Sequence, residues 1–501
     1  MTIRNAAPVP LGAVARARAR LPRLPQPPQL PQLLQLPQLL HPTQPPQLPQ
    51  LLQPMQLPRL PFAASCIGRI RRGLPALSPR AVRARVSMRA MSAISTFSIL
   101  GAFGILAALA TPNAAQAASP AVKIGVLTDM SGNYAAMGGA GSVAAAQMAI
   151  DDCLAAQCKG MNITLVSADN QNKADVGAAR AREWFDQDNV NAIADLTNSA
   201  VALAVQGIAR DKHRIALFSG PATTALTNKE CSPTGFHWMF DTYSQSVAAA
   251  KATVANGGKS WYFITVDYAF GHALEADTAK AVKALGGTTV GSVRHPLNAP
   301  DFASYLLQAQ SSKAQVVALA NGGQDTVNAV KQAREFGIVA GGQRLVSLLV
   351  FLSDLRALGL QNAQGLSYVD GFYWDYDDAS RKWAARYEKA FRGLKPTMTQ
   401  AGVYSSVLHY LRAVAAAGTT DADKVAAQMR RMPIDDPIMR NASIRPDGRV
   451  VHDMYLYQVK TPSESHGEWD YSRLVSVIPA ADAFQPLADS TCPLVQQTAR
   501  Q

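Results

Sequence analysis

Residues 122–156, VKIGVLTDMSGNYAAMGGAGSVAAAQMAIDDCLAA, decide the fold. Val122 to Leu127 is a short run of apolar residues broken only by Lys123 and Gly125, which reads as a buried strand. The chain turns at Ser131-Gly132 and enters a helix of small residues, roughly Gly141 to Ala156. The same unit recurs downstream. NITLVS (162–167) reads as a strand and Asp175–Gln187 as an amphipathic helix with Ala178, Ala179, Trp184 and Phe185 on one face. Val190–Ala194 is a strand, Ser199–Asp211 a helix and Ile215–Phe218 a strand. Strands alternating with helices at this spacing call for a parallel sheet with helices on both faces and right-handed crossovers.

The pattern then begins again. Helices are expected at Tyr243–Asn256, Ala273–Leu285, Phe302–Gln310 and Thr326–Phe336. Strands are expected at Trp261–Thr265, Thr288–Val293, Val316–Ala320 and Leu345–Leu349. After Tyr368 longer helices follow, at Ser380–Phe391, Gln400–Ala417 and Asp421–Met432. A hairpin is expected over Ala442–Val459, turning at Pro446-Asp447-Gly448. The fold class is α/β, with two such units in tandem.

Upstream, the composition changes. Residues 88–117 carry Arg89, a charge-free apolar run from Ile94 to Ala110 and the small-x-small sequence Ala115-Gln116-Ala117, the pattern of a secretory signal peptide. Cleavage after Ala117 leaves a mature chain of 384 residues. The apolar run is short for a membrane span, which needs ~20 residues. Residues 1–87 are a Pro/Gln/Leu/Arg leader; Pro22–Leu60 blocks a continuous helix and reads as sequence upstream of a true start at Met88 or Met91. All 13 basic residues before Ala118 are arginines and the first acid is Asp129, so the +13 net charge belongs entirely to this region. The mature part balances 35 basic against 35 acidic residues, which removes the charge argument for nucleic acid or an anionic membrane as partner.

Four cysteines remain in the mature part: Cys153, Cys158, Cys231 and Cys492. An even number in an exported chain suggests disulfides, with three possible pairings. Cys153 and Cys158 are close enough for a local clip, which leaves Cys231 with Cys492. There is no CxxC or HExxH, and no metal or cofactor is expected. Nor is there a phosphate-binding loop, a GxSxG or a GxGxxG after a strand, so no enzyme constellation is present. His272 reads as a helix-start residue rather than a base.

Ligands in open α/β sheets bind at the carboxyl ends of strands, beside helix N-termini. Three loops meet that condition in the first unit: Asp129–Tyr134, Asp195–Ser199 and Ser219–Thr224. Their hydroxyls and free N–H groups suit a carboxylate. In the second unit Asp267–Gly271 and Ala320–Gln324 occupy equivalent places, with aromatic rings that can cover a planar or apolar ligand.

These segments resemble the periplasmic solute-binding proteins of branched-chain amino acid ABC transporters. The carrying stretches are VKIGVLTDMSG at Val122, DLTNSAVALAV at Asp195, SGPATTALT at Ser219, VDYAFGHALEADT at Val266, ANGGQDTVNAVKQAREFGI at Ala320 and GVYSSVLHYLRAV at Gly402. The resemblance covers roughly residues 121–490. It implies two Rossmann-like lobes joined by three hinge crossovers. Residues 118–242 plus 372–445 would form lobe 1, residues 243–371 plus 446–490 lobe 2, and 491–501 a C-terminal tail. It also implies a monomeric periplasmic clamp that delivers a small solute to an inner-membrane permease. The resemblance places Tyr134, Asn198, Ser199, Ala222 and Thr223 at first-lobe ligand positions. Asp241 or Tyr243 falls near the hinge, and Tyr268, Phe270 and Asn321 come from the second lobe. Amino-acid binders of this type use a second-lobe carboxylate for the ligand ammonium. The corresponding stretch here, Ser347–Leu352, has no acid, and a buried ammonium without a partner is costly. An anionic or neutral ligand such as an aromatic acid is therefore expected, with Asp241 the remaining acid for an amino acid. The alternative reading on the same fold is a ligand-sensing subunit of a receptor or regulator.

Overall fold

The computed structural model describes residues 120–498; the leader, the expected signal segment and the last three residues lie outside the described residues. The chain begins with β1 (Ala121–Thr128), α1 (Gly139–Ala155), β2 (Asn162–Asp169), α2 (Ala174–Asp186), β3 (Ala192–Asp195), α3 (Ser199–Asp211), β4 (Ile215–Phe218) and β5 (Gly235–His237). These strands form a parallel sheet in the order β2-β1-β3-β4-β5. Ile124, Val126 and Leu127 of β1 are fully buried, as a strand covered on both faces requires.

A second parallel sheet follows. It is built from α4 (Thr242–Ala255), β6 (Ser260–Val266), α5 (Ala269–Ala284), β7 (Thr288–His295), α6 (Ala303–Ser311), β8 (Val316–Ala320), α7 (Gln324–Glu335) and β9 (Arg344–Ser347). Its order is β7-β6-β8-β9. Next come α8 (Leu352–Leu358), α9 (Leu360–Ala363) and β10 (Ser367–Asp370). The chain then adds α10 (Asp378–Ala390), α11 (Met398–Ala417) and α12 (Ala422–Arg431). Helix α11 is apolar nearly all round and is buried along most of its length. It packs on α1, whose small residues permit the approach: a Cβ on Gly141 would lie 2.3 Å from the Gln400 amide.

The last elements are β11 (Ser443–Ile444), β12 (Val450–Val451), β13 (Met454–Val459), β14 (Ser472–Ile478), α13 (Ala480–Ala483) and α14 (Pro493–Thr498). They correct the expected hairpin over Ala442–Val459. The turn at Pro446–Gly448 is present, but only β11 and β12 pair around it. Strand β13 leaves this ribbon and joins an antiparallel sheet in the order β10-β13-β14. Its Tyr455 and Tyr457 pack among Tyr368, Tyr373 and Tyr376, and that aromatic cluster sets its place. Strands β5, β10 and β14 were absent from the sequence reading. The disulfides pair Cys153 with Cys158 and Cys231 with Cys492, the latter across a separation of 261 residues. Among the described residues no helix is long and apolar enough to cross a membrane.

The chain passes between the elements around the two parallel sheets three times, between β5 and α4, between β10 and α10, and between β12 and β13. Arg449 ties the first to the third. It is completely buried, and its guanidinium donates to the carbonyls of Phe240 (3.1 Å), Trp238 (3.2 Å), Met239 (2.7 Å) and Val450 (3.1 Å). The Asp241 carboxylate lies 3.6 Å away and the Phe484 ring centroid 4.3 Å away. Burial pulls the guanidinium down to about 10, which leaves it charged at neutral pH. The second crossover packs closely on this centre: a Cβ on Gly371 would meet Met239 at 3.0 Å and His452 at 3.2 Å. Replacing Arg449 by Met should strand a buried carboxylate and four carbonyls and lower unfolding stability by about 3–5 kcal/mol, measured by urea denaturation.

Candidate functional site

Both sheets turn the carboxyl ends of their strands toward one seam, so the loops after β1, β3, β4, β6 and β8 gather there. The loop after β1 is folded around Asp129, whose carboxylate accepts from the backbone N–H of Ser131, Gly132 and Tyr134. That turn projects Asn133 and Tyr134 at the second lobe. Asn133 Nδ2 donates to Gly322 O (2.9 Å), and its Oδ1 accepts from the Asp325 N–H (2.9 Å). Its own carbonyl accepts from the Gln324 N–H (3.2 Å). Asn133 thus caps the start of α7 from the opposite lobe, satisfying N–H groups that a helix leaves unpaired. Gly323 makes the approach possible: its φ is +63°, and a Cβ there would stand 2.4 Å from Asn133 O. Beside this seat the Tyr134 and Tyr268 hydroxyls meet at 2.6 Å. Burial raises both phenols well above their usual range.

The first-lobe loops supply donors. Ser199 opens α3, and its Oγ accepts from the N–H groups of Ala222 and Thr223 at 3.3 Å each, which are long contacts. The Thr223 hydroxyl caps the short 3-10 turn at Thr224–Thr227. Asn198 caps α3, its Oδ1 accepting from Ala200 and Val201 N–H. Asp241 caps α4 through Ser244 N–H and faces Arg449, so its carboxylate is already paired at the hinge. Tyr243 lies half-buried on the first turn of α4, near Asp489, Asp241 and Asp277 and apart from the Tyr134–Tyr268 pair. Phe270 is buried with its ring 5.9 Å from that of Tyr268. Asn321 is held in a buried chain, Nδ2 to His295 Nε2 (3.1 Å) and Oδ1 from the Thr326 hydroxyl (2.8 Å). His272, on α5, pairs with the exposed Asp267 at 2.8 Å.

Sequence reasoning missed Asn133, Gly323 and Asp277. The first two lie inside stretches that were singled out, and the paired Gly322-Gly323 was the available signal. Asp277, on α5, accepts from Thr242 (2.6 Å) and Thr224 (3.3 Å), bringing the second lobe onto the loop after β4. The second-lobe carboxylates at the seam are therefore committed. Asp325 accepts from Asn298 and Ala299 N–H, and Asp354 from Phe351 N–H; burial raises each to about 7.

Two α/β lobes, a three-strand hinge and a donor-lined seam define a clamp for a small solute. The profile of the periplasmic binding proteins matches residues 121–467, and the chain belongs to that family, among the substrate-binding proteins of ABC transporters. Proteins of this class bind small ligands and deliver them to permeases. A periplasmic binding protein from Burkholderia mallei is 48% identical, with a TM-score of 0.72 over 75% of this chain and 99% of that one. A branched-chain amino acid ABC transporter periplasmic ligand-binding protein from Burkholderia xenovorans is 41% identical, with a TM-score of 0.67 over 75% and 100%. A solute-binding protein from R. palustris, crystallised with 4-hydroxybenzoate, is 23% identical, with a TM-score of 0.65 over 72% and 97%. No curated protein matches the chain.

Two outcomes follow from this geometry. Gly323→Ala should weaken solute binding at least tenfold, because its Cβ collides with the seated Asn133. Asn133→Gly should weaken binding as well by removing the side-chain bonds to Gly322 and Asp325, and the double variant should recover nothing, because the carbonyl that meets the Cβ is unchanged; calorimetric titration reads all three. The second concerns Asp195, at the end of β3. It is fully buried, its oxygens have no hydrogen-bond partner, and burial lifts its carboxyl to about 6 against the nearby Ser142 and Thr128 hydroxyls. The folded state then binds this proton more tightly than the unfolded state. The resulting stability is complete below about pH 4 and lost as pH rises through about 6. Asp195→Asn, which tolerates the local φ of +77°, should gain on the wild type by about 2–3 kcal/mol between those limits, measured by denaturation at each pH.

Proposed function

We propose that this protein captures a small carboxylate-bearing solute, an aromatic acid by preference, and hands it to an ABC permease. The observation that carries the reading is the division of labour across the seam. Donors without negative charge, the Ser199 hydroxyl and the Ala222 and Thr223 N–H groups, lie at the first-lobe edge. The second lobe offers the Tyr268 phenol and the Phe270 ring, while its carboxylates are spent on backbone donors or hydroxyls. A carboxylate is favoured beside the N-terminus of α3, and an aromatic body beside the rings. An ammonium would meet no free acid from the second lobe. The 4-hydroxybenzoate held by the R. palustris protein is a solute of this class.

The protein works as a monomer without catalytic turnover. It is exported by the segment at 88–117, cleaved near Ala117, and acts in the periplasm. Tyr134, Ser199, Ala222, Thr223, Tyr268 and Phe270 contact the solute. Asn198, Asp241 and Asn321 hold the frame that positions them, and Tyr243 stands at the hinge.

Thermal unfolding with 4-hydroxybenzoate, leucine and leucinamide tests this. At ~100-fold excess over Kd a ligand stabilises by ~2.7 kcal/mol, a readable shift. The aromatic acid should raise Tm, and Ser199→Ala should reduce its affinity at least tenfold with little change in apo stability. A shift with leucine alone would overturn the aromatic-acid reading.

A further inference from the structure

Strand β9 pairs on one side with β8, and β10 on one side with β13. Their other edges face each other across a slot that is separate from the seam between the lobes. On the α4 side the slot holds a cavity of about 230 Å³ whose lining includes Gln245 and Ser347. On the α7 side a second cavity of about 650 Å³ lies between Val330, Arg334, Val339 and Ala340. Arg344, Leu345, Gly365 and Leu366 line both mouths.

Three features of this slot point the same way. Gln245 and Ser347 are 1% and 3% exposed, yet Gln245 Nε2 and Ser347 Oγ have no hydrogen-bond partner. Buried polar groups in native proteins are normally satisfied, so two orphans in the lining of one cavity mark a place for a polar guest. Arg344 forms no ion pair among the described residues, and no Asp or Glu lines either mouth. The nearby phenol of Tyr368 is occupied, donating to Ser472 (2.9 Å). The slot therefore presents donors, apolar walls and two arginines without an ion pair among the described residues, Arg344 at both mouths and Arg334, which donates to the Gln361 carbonyl, on the α7 side.

We propose that it is a second ligand site, for a small monocarboxylate with an apolar body. The carboxylate accepts from the Gln245 amide and the Ser347 hydroxyl, the Arg344 guanidinium balances its charge, and the apolar body extends between Leu345 and Leu366 toward Val339. The site is independent of the solute held between the lobes.

The test is titration of the full chain, methyl-labelled at Leu, Val and Ala, with hexanoate by NMR. Saturable shifts should appear at Leu345, Val346 and Leu366. Exposed Arg344 can be changed without disturbing the core: Arg344→Glu should weaken these shifts at least tenfold, and Ser347→Ala severalfold. Hexan-1-ol, which lacks the charge, should bind at least tenfold more weakly than hexanoate. Shifts confined to methyls at the seam such as Ala222, no saturation, or an Arg344→Glu protein that binds as the wild type does would each overturn the second site.

Discussion

The buried guanidinium of Arg449 is the contact on which the rest of the molecule depends. A charge taken out of water is tolerable only where its donors are all answered, and here four carbonyls and one carboxylate answer them. All of those partners but the Val450 carbonyl belong to the first crossover, while Arg449 itself belongs to the third. The two strands of chain between the lobes are therefore held as one unit, with Gly371 of the second pressed against it. The C-terminal segment reinforces it, through Phe484 over the guanidinium and through Cys492, which is bonded to the loop that follows the Ser219–Thr224 segment.

A hinge of this kind gives the seam its function. The lobes meet at two places, Asp277 of α5 on Thr224 and the loop after β1 on the start of α7. Asn133 meets the N-terminus of α7 by three hydrogen bonds, and the Tyr134 and Tyr268 hydroxyls join beside it. These bonds are available in the closed form, and each is individually modest, about 1 kcal/mol net. A solute that touches both lobes adds its contacts to the same state and shifts the population toward it.

The layered α/β architecture was legible in the sequence because its signal is local. Buried strands such as Val316–Ala320 and Ile215–Phe218 are continuous apolar runs, and helices such as α2 and α12 show one apolar face. Non-local pairing was not legible. Ser367–Asp370 is polar at both ends, so it shows no apolar run, and it is a strand because β13 pairs with it. Strand β14 lies at an edge with Arg473 to Val477 exposed, so it has no burial pattern to read. The site divides the same way. The loops that gather at the seam were visible as strand-to-helix junctions. The commitment of Asp241 was hidden, because its partner Arg449 stands far along the chain and looks like an ordinary turn residue after Pro446-Asp447-Gly448. Asn133 was overlooked beside the more conspicuous Tyr134, since a side chain that caps a helix of the other lobe leaves no mark in its own segment.

The central claim is that the two lobes close about the Arg449 hinge onto the solute. It is tested most directly by pulsed electron spin resonance on the mature chain, whose four cysteines are all in disulfides, as the distance between spin labels on Lys173→Cys in the first lobe and Asp301→Cys in the second, both exposed positions. The account predicts a broad or longer distribution for the free protein that collapses to one short, narrow distance with saturating 4-hydroxybenzoate. A distribution that does not change when the solute binds would contradict it.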